Sequence, residues 1–315
     1  MTAANLKSLI IGKVVAILRA LFGVFVFVAL MSMIFTLFAS FCASRNIDYE
    51  VVKGTYNFIY GILVILALLF FIKMTDVPSS GDKVLPLIRR SKINWAQVVL
   101  VVVLSLGLLG MVNLYMTFIS SLAQKSKEVA TVMEDYSQST DRYAAVADIK
   151  VIPNFDHVLN LIAVSVIVPF AEELVFRAIV FGELRKKLHP VTAVILSSAI
   201  FGVMHGNGLH IVYAFVCGLM ICLTYWFCDS IWASYIVHAL FNFFGSGIFV
   251  FMQSGILGDA TPMVRSLDNV LFFAEYMFML PSLACIVFLG MIYRQNLKKN
   301  IDKDAEVALS DVEQA

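Results

Sequence analysis

Charged side chains are scarce in this chain of 315 residues, of which Asp, Glu, Lys and Arg together make up 14%. An average soluble domain has about 25%, so a soluble globule of this length could not cover its surface. The net charge of +1 provides no basic field for nucleic acid, and no nucleic-acid-binding motif is present. The sequence also lacks internal repeats and low-complexity tracts, which excludes fibrous and disordered classes.

Cysteine is present in a number and spacing that exclude two further classes. The five cysteines all lie within or beside apolar segments: Cys42, Cys217, Cys222, Cys228 and Cys285. Their number is odd and no C-x-x-C spacing occurs, so neither a disulfide framework nor a zinc knuckle is predicted. We interpret them as small buried thiols in helices.

Long apolar runs are the main feature of the sequence. Apolar residues make up 60% of the chain and the mean hydropathy is +0.88, and a helix needs about 20 apolar residues to cross a bilayer. Eight segments qualify, near residues 20–42, 56–73, 95–122, 157–181, 191–205, 209–228, 231–252 and 268–293. The first is too long for a cleavable signal sequence, and the fifth is short enough for an incomplete crossing. The sequence therefore predicts an all-α polytopic membrane protein of about eight transmembrane helices.

The spans suggest three regions and an orientation. Residues 1–155 hold three spans and a polar loop at 124–156, residues 156–293 form a helical core, and residues 294–315 form a polar tail. Three segments are basic: Lys83, Arg89, Arg90 and Lys92; Arg185, Lys186 and Lys187; and Arg294, Lys298 and Lys299. Eight crossings would place all three on one side, and the positive-inside rule predicts that this side is the cytoplasm, with both termini there.

The fourth span contains ionisable residues that are costly at membrane depth and therefore indicate a cavity or pathway. Glu173 and Arg177 are four apart, with the acid first, which favours an ion pair. Neighbouring helical residues point about 100° apart, so Glu172 and Glu173 are not expected to face one small site. Glu172 is then the free acid or base, and Pro169, which removes a backbone hydrogen bond, could kink the helix and admit water. Alternatively, both carboxylates belong to a structural charge network.

Polar groups on two other spans fall at overlapping depths. His205 ends the fifth span, and His238 and Asn242 lie four apart on one face of the seventh. At 1.5 Å per residue, these groups and Glu172 lie roughly 10 to 21 Å from the cytoplasmic surface. We predict that they meet in a buried, hydrated site inside the bundle. The remaining histidines are interpreted as interfacial: His157, His189 and His210.

Three motifs resemble those of a known family. Glu172-Glu173-Leu-Val-Phe-Arg177 resembles the E-E-x-x-x-R motif of the CPBP family, which includes CAAX proteases and bacteriocin-processing enzymes. Phe201-Gly-Val-Met-His205 is similar to its F-x-x-x-H motif and His238-Ala-Leu-Phe-Asn242 to its H-x-x-x-N motif. The likeness covers about Leu159 to Phe251, and the first three spans and the last carry no such signature.

The resemblance implies an intramembrane endopeptidase with its catalytic core in residues 156–293. By that resemblance, Glu172 and His205 would activate a water, and His238 and Asn242 would form the oxyanion hole. The implied substrate is a peptide or membrane protein within the lipid bilayer. Short loops and the lack of a targeting extension favour a bacterial inner membrane as the location.

The resemblance also implies that Glu173 and Arg177 brace the site and that no cofactor or metal takes part. The chain lacks the H-E-x-x-H pattern of zinc proteases, although Glu172, His205 and His238 could supply the three ligands of a catalytic zinc. The alternative class is non-catalytic: a bacteriocin-immunity factor, a scaffold, or a transporter with a protonatable site. A transporter would be expected to show inverted repeats or broken helices in matching halves, and the sequence shows neither.

Overall fold

The computed structural model describes residues 3–76, 86–140, 151–206 and 208–313. Within these residues the chain forms nine helices: α1 Ala3–Ser44, α2 Lys53–Thr75, α3 Trp95–Ala123, α4 Lys127–Thr140, α5 Asn154–Leu184, α6 Pro190–Val203, α7 Gly208–Cys228, α8 Ile231–Met252 and α9 Thr261–Glu313. A short 3₁₀ turn, Tyr49–Val52, precedes α2. The described part of the chain contains no strand beyond one isolated bridge between Arg90 and Ser230. The predicted all-α fold is confirmed.

Seven of these helices are long and apolar enough to cross a membrane, and the chain is an integral membrane protein. The shorter apolar helix α6 has 14 residues, which at 1.5 Å per residue span roughly 21 Å, less than the roughly 30 Å of hydrocarbon. It corresponds to the fifth segment, for which an incomplete crossing was considered. Helices α1 and α9 carry large apolar side chains on their outer surfaces, among them Phe25 and Phe273, as expected for contact with lipid.

Helix α5 lies at the centre of the bundle. Its carboxy-terminal part, from Leu174 to Leu184, is buried on every face, and helices α1, α2, α6 and α8 pack around α5. A helix that is apolar all round is stable only where other helices surround it. A second apolar cluster joins α3, α7, α8 and α9 around Leu108, Ile221 and Leu289. The polar side chains of α5 therefore lie in the packed interior of the bundle.

A π-helical turn at Ala163–Ile167 precedes Pro169 in α5. In this turn the N–H of Val168 bonds to the first carbonyl of the turn, five residues back. In the same register the carbonyl of Val164 would require an N–H from Pro169, which has none. The side-chain amide of Asn242 on α8 supplies the missing donor, with Nδ2 at 3.2 Å from that carbonyl. Pro169 thus leaves the carbonyl of Val164 without a backbone donor, and Asn242 on the neighbouring helix donates to it instead.

The basic segments gather at one end of the bundle. Three contacts join them there: the ion pair of Arg89 with Asp229, the packing of Leu87 on Gly182, and the ring contact of Trp226 with Tyr293. Lys83, which belonged to the predicted basic loop, lies outside the described residues. The ends of α2, α5, α7 and α9 therefore share one side, as eight crossings require.

The predicted polar loop at 124–156 contains helix α4, which packs against α3 and α7. Residues 141–150 of that loop lie outside the described part. At its end, the carboxylate of Asp156 is fully buried and accepts hydrogen bonds from the backbone N–H groups of Gly54 (2.8 Å) and Thr55 (2.7 Å), close to the start of α2. The division of the chain at residue 155 stays a prediction.

Candidate active site

The imidazole of His238 lies between two carboxylates. Its Nδ1 is 2.9 Å from Oε1 of Glu173, and its Nε2 is 3.5 Å from Oε2 of Glu172. As expected, the two glutamates diverge, since Glu172 lines the cavity and Glu173 does not, but both reach the ring of His238. The two ring nitrogens point in different directions, so carboxylates that diverge from one helix can both reach the same ring. An ionised carboxylate only accepts, so Nδ1 donates to Glu173 and Nε2 is directed at Glu172.

Glu173 and Arg177 lie side by side in the packed interior. Arg177 Nε is 3.4 Å from Glu173 Oε2, and the side chains are 1% and 0% exposed. The guanidinium also lies over the ring of Phe201, 4.6 Å from its centroid, where a cation is attracted by the face of the ring. The same aromatic ring contacts His238 with its centroid at 5.7 Å. The ion pair thus sits directly behind the imidazole.

His205 stands at the end of α6 and its tautomer is fixed by the backbone. Helix α6 ends at Val203, and the chain turns away at Gly206, whose φ of +73° is a conformation that favours glycine. The Nδ1 of His205 lies 2.8 Å from the carbonyl oxygen of Phe201, which can only accept. In a neutral ring Nδ1 therefore carries the hydrogen, and Nε2 is left as an acceptor.

Asn242 bonds to the backbone of α5 and also lines the cavity. Its Nδ2 donates one hydrogen to the carbonyl of Val164. A carboxamide nitrogen carries two hydrogens, so one remains for another acceptor. The residue lies four positions after His238 on α8, and both line the same cavity.

A cavity of about 1160 Å³ brings these groups together. Glu172, His205, His238 and Asn242 all line it, and Glu172 has 20% of its side chain exposed there. The other walls come partly from α3, α4 and α9. On that wall the buried carboxylate of Glu275 accepts a hydrogen bond from the side chain of Asn113. Among the described residues that line the cavity there is no lysine or arginine.

Sequence reasoning missed residues of this cavity. His210 was expected at the interface, but its ring lies 4.5 Å from that of His205 and it lines the cavity. His157 is buried elsewhere, whereas His189 is exposed and accepts a hydrogen bond from the N–H of Val191 at the start of α6. Glu275 could have been found as an ionisable residue inside the last span. For His210, the signal in the sequence was the short turn that separates it from His205.

The zinc alternative was tested on the donor set. In the described ranges, no group of three or more His, Cys, Asp or Glu side chains could hold a metal ion. The side chains named for that alternative, Glu172, His205 and His238, do not form a ready zinc site.

Comparisons with known proteins agree with this geometry. Residues 154–244 match the family model described as Type II CAAX prenyl endopeptidase Rce1-like. The protein named "Putative membrane peptidase YdiL" of Bacillus subtilis (strain 168) is 33% identical over 86 residues, which are 27% of this chain and 35% of that protein. The chain therefore spans about a third of the length of this relative. No solved structure matches the chain significantly. The three motifs lie inside the matched segment, so residues 154–244 are similar to this endopeptidase family over about 29% of the chain.

Proposed function

We propose that the chain is an intramembrane endopeptidase that hydrolyses a peptide bond of a membrane-associated peptide or protein. One observation carries the proposal: a carboxylate, two imidazoles and a carboxamide from α5, α6 and α8 line a single cavity. Polar groups of this kind are costly inside a membrane and are retained where they do chemistry or bind a ligand. The match to a CAAX endopeptidase model and the name of the Bacillus relative support the same reaction class.

In the proposed mechanism, Glu172 and His205 hold the attacking water. The carboxylate of Glu172 and the bare Nε2 of His205 are both acceptors, and a water between them would donate one hydrogen to each. Such a water directs its lone pairs at the substrate carbonyl. Glu172 would take a proton as the water attacks and return it to the leaving amine, which is general base and then general acid catalysis.

His238 and Asn242 are proposed to stabilise the oxyanion. His238 Nδ1 bonds to the buried Glu173, and in the proposed mechanism Nε2 carries a hydrogen that it donates into the cavity. The free hydrogen of the Asn242 amide is the second donor. Donors fixed in advance stabilise the charge that develops in the transition state, and losing one typically lowers turnover by about 100- to 1000-fold.

We propose a reaction without a resident metal, because the donor set described above forms no metal site. We also propose that the end of the bundle that carries the basic segments faces the cytoplasm, with both termini on that side. The Bacillus relative supports a bacterial cell membrane as the location.

The test compares membranes from cells that contain the wild-type chain, Glu172→Gln, or the control Glu134→Gln. Glu134 is exposed on α4 and does not line the cavity. Peptides released from membranes are identified by mass spectrometry, with the amount of each variant in the membrane measured in parallel. Wild type and the control should release the same fragments, and Glu172→Gln should release none of them at equal abundance. Equal release of fragments by Glu172→Gln would refute the proposed peptidase activity. A change in cell phenotype with no fragment released would favour a binding or scaffolding role.

A further inference from the structure

His210 occupies a fixed position beside the proposed catalytic groups. Its ring lies 4.5 Å from that of His205, at an angle of 58°, and stacks on Tyr213 at 4.6 Å with an angle of 22°. These distances join ring centroids. The imidazole is therefore held between two aromatic rings at the wall of the cavity.

A second aromatic layer fixes this arrangement. The hydroxyl oxygens of Tyr213 and Tyr136 are 3.1 Å apart, and the ring of Tyr136 meets His210 edge-on with centroids 6.2 Å apart. Tyr136 belongs to α4, so the polar helix at the edge of the bundle braces the residue from outside. Rings that pack on several sides restrict the rotamers open to His210.

The ring nitrogens of His210 make no hydrogen bond to any residue in the described part of the chain. The neighbouring histidines differ in this respect, because His205 is held by a carbonyl and His238 by a carboxylate. A half-buried polar group that has no partner among the described residues can bond to water or to a ligand. His210 thus presents a preorganised donor and acceptor to the occupant of the cavity.

We propose that His210 binds the main chain of the peptide substrate beside the scissile bond, with its ring N–H donating to a peptide carbonyl. This inference rests on the proposed function. A neutral imidazole offers one donor and one acceptor, which match the groups of a peptide unit. Successive peptide units are about 3.3 to 3.6 Å apart along an extended chain. A substrate carbonyl one or two residues from the bond attacked near His205 would therefore reach His210.

The experiment measures steady-state kinetics on a quenched fluorescent peptide that spans a cleavage site found in the membrane comparison above. His210→Phe keeps the ring and removes the nitrogens, whereas His210→Gln keeps an N–H donor. Loss of one hydrogen bond should raise KM by roughly 2- to 12-fold in His210→Phe and leave kcat unchanged, as expected for uniform binding. His210→Gln should recover part of that loss. The control Glu134→Gln, which alters an exposed residue outside the cavity, should match wild type.

A wild-type KM in His210→Phe would overturn the inference, because only water would then have occupied the nitrogens. A fall in kcat at constant KM would also overturn it, and would assign the ring a positioning role for His205. In both cases the wild-type protein still cleaves and the proposed function stands. If neither wild type nor Glu172→Gln cleaves the peptide, the proposed function fails and this inference fails with it.

Discussion

Removing the guanidinium of Arg177 tests how the charges behind the site are held. In Arg177→Met the carboxylate of Glu173 stays fully buried, loses its arginine partner and keeps the contact with His238 Nδ1. Breaking a buried ion pair on one side costs about 3 to 5 kcal/mol, because an uncompensated charge remains. Arg177 also loses its contact with the face of Phe201, which adds about 2 kcal/mol when the cation is desolvated. We therefore expect a loss of several kcal/mol.

Thermal unfolding of the purified protein in detergent measures this loss. At about 2 to 4 °C per kcal/mol, the loss of about 3 to 5 kcal/mol from the ion pair alone lowers Tm by roughly 6 to 20 °C, and the lost contact with Phe201 lowers it further. The double variant Glu173→Gln with Arg177→Met removes both charges and keeps an oxygen that can accept from His238. It should recover much of the loss, since a neutral pair of similar volume is often tolerated. The control Arg90→Met changes an exposed arginine and should shift Tm little.

A Tm of Arg177→Met within 2 °C of wild type would refute the reasoning, because a buried carboxylate would then need no cation. A double variant less stable than Arg177→Met would refute it as well. That result would mean that Glu173 stabilises the fold through His238 alone.

Two further predictions concern the chemistry. Asn242→Ala should lower kcat by about 100- to 1000-fold with a small change in KM, measured with the same fluorescent peptide, and a variant with normal kcat would remove the amide from the oxyanion hole. Dialysis of the active enzyme against a chelator should leave cleavage unchanged and metal analysis should find less than one equivalent of zinc, whereas loss of activity that zinc restores would contradict the metal-free proposal.

The spans were predictable because hydrocarbon thickness sets the length of an apolar run. The ends of the helices were not: the last segment was predicted near 268–293, whereas α9 is Thr261–Glu313. Hydropathy marks the part of a helix in lipid, but backbone hydrogen bonds continue into polar sequence on either side. Helix α4, in contrast, lies in a segment that was predicted as a polar loop, because hydropathy does not mark helices outside lipid.

At the site, sequence spacing indicated four residues that line one cavity and missed two relations between them. An ideal α-helix separates Glu172 from Glu173, but spacing on one helix says nothing about a ring from another helix that reaches both. The π-helical turn before Pro169 was also not predicted, because the donor that replaces the missing N–H comes from Asn242, distant in sequence. Both relations depend on tertiary contacts between α5 and α8.

The walls of the cavity have a consequence for how such a protein diversifies. The proposed reacting groups all lie within residues 154–244, but α3, α4 and α9 supply other parts of the lining from outside that segment. Substitutions on those three helices can reshape or recharge the cavity without touching the proposed reacting groups. In the proposed peptidase, part of the selectivity could therefore change while the reacting groups stay the same.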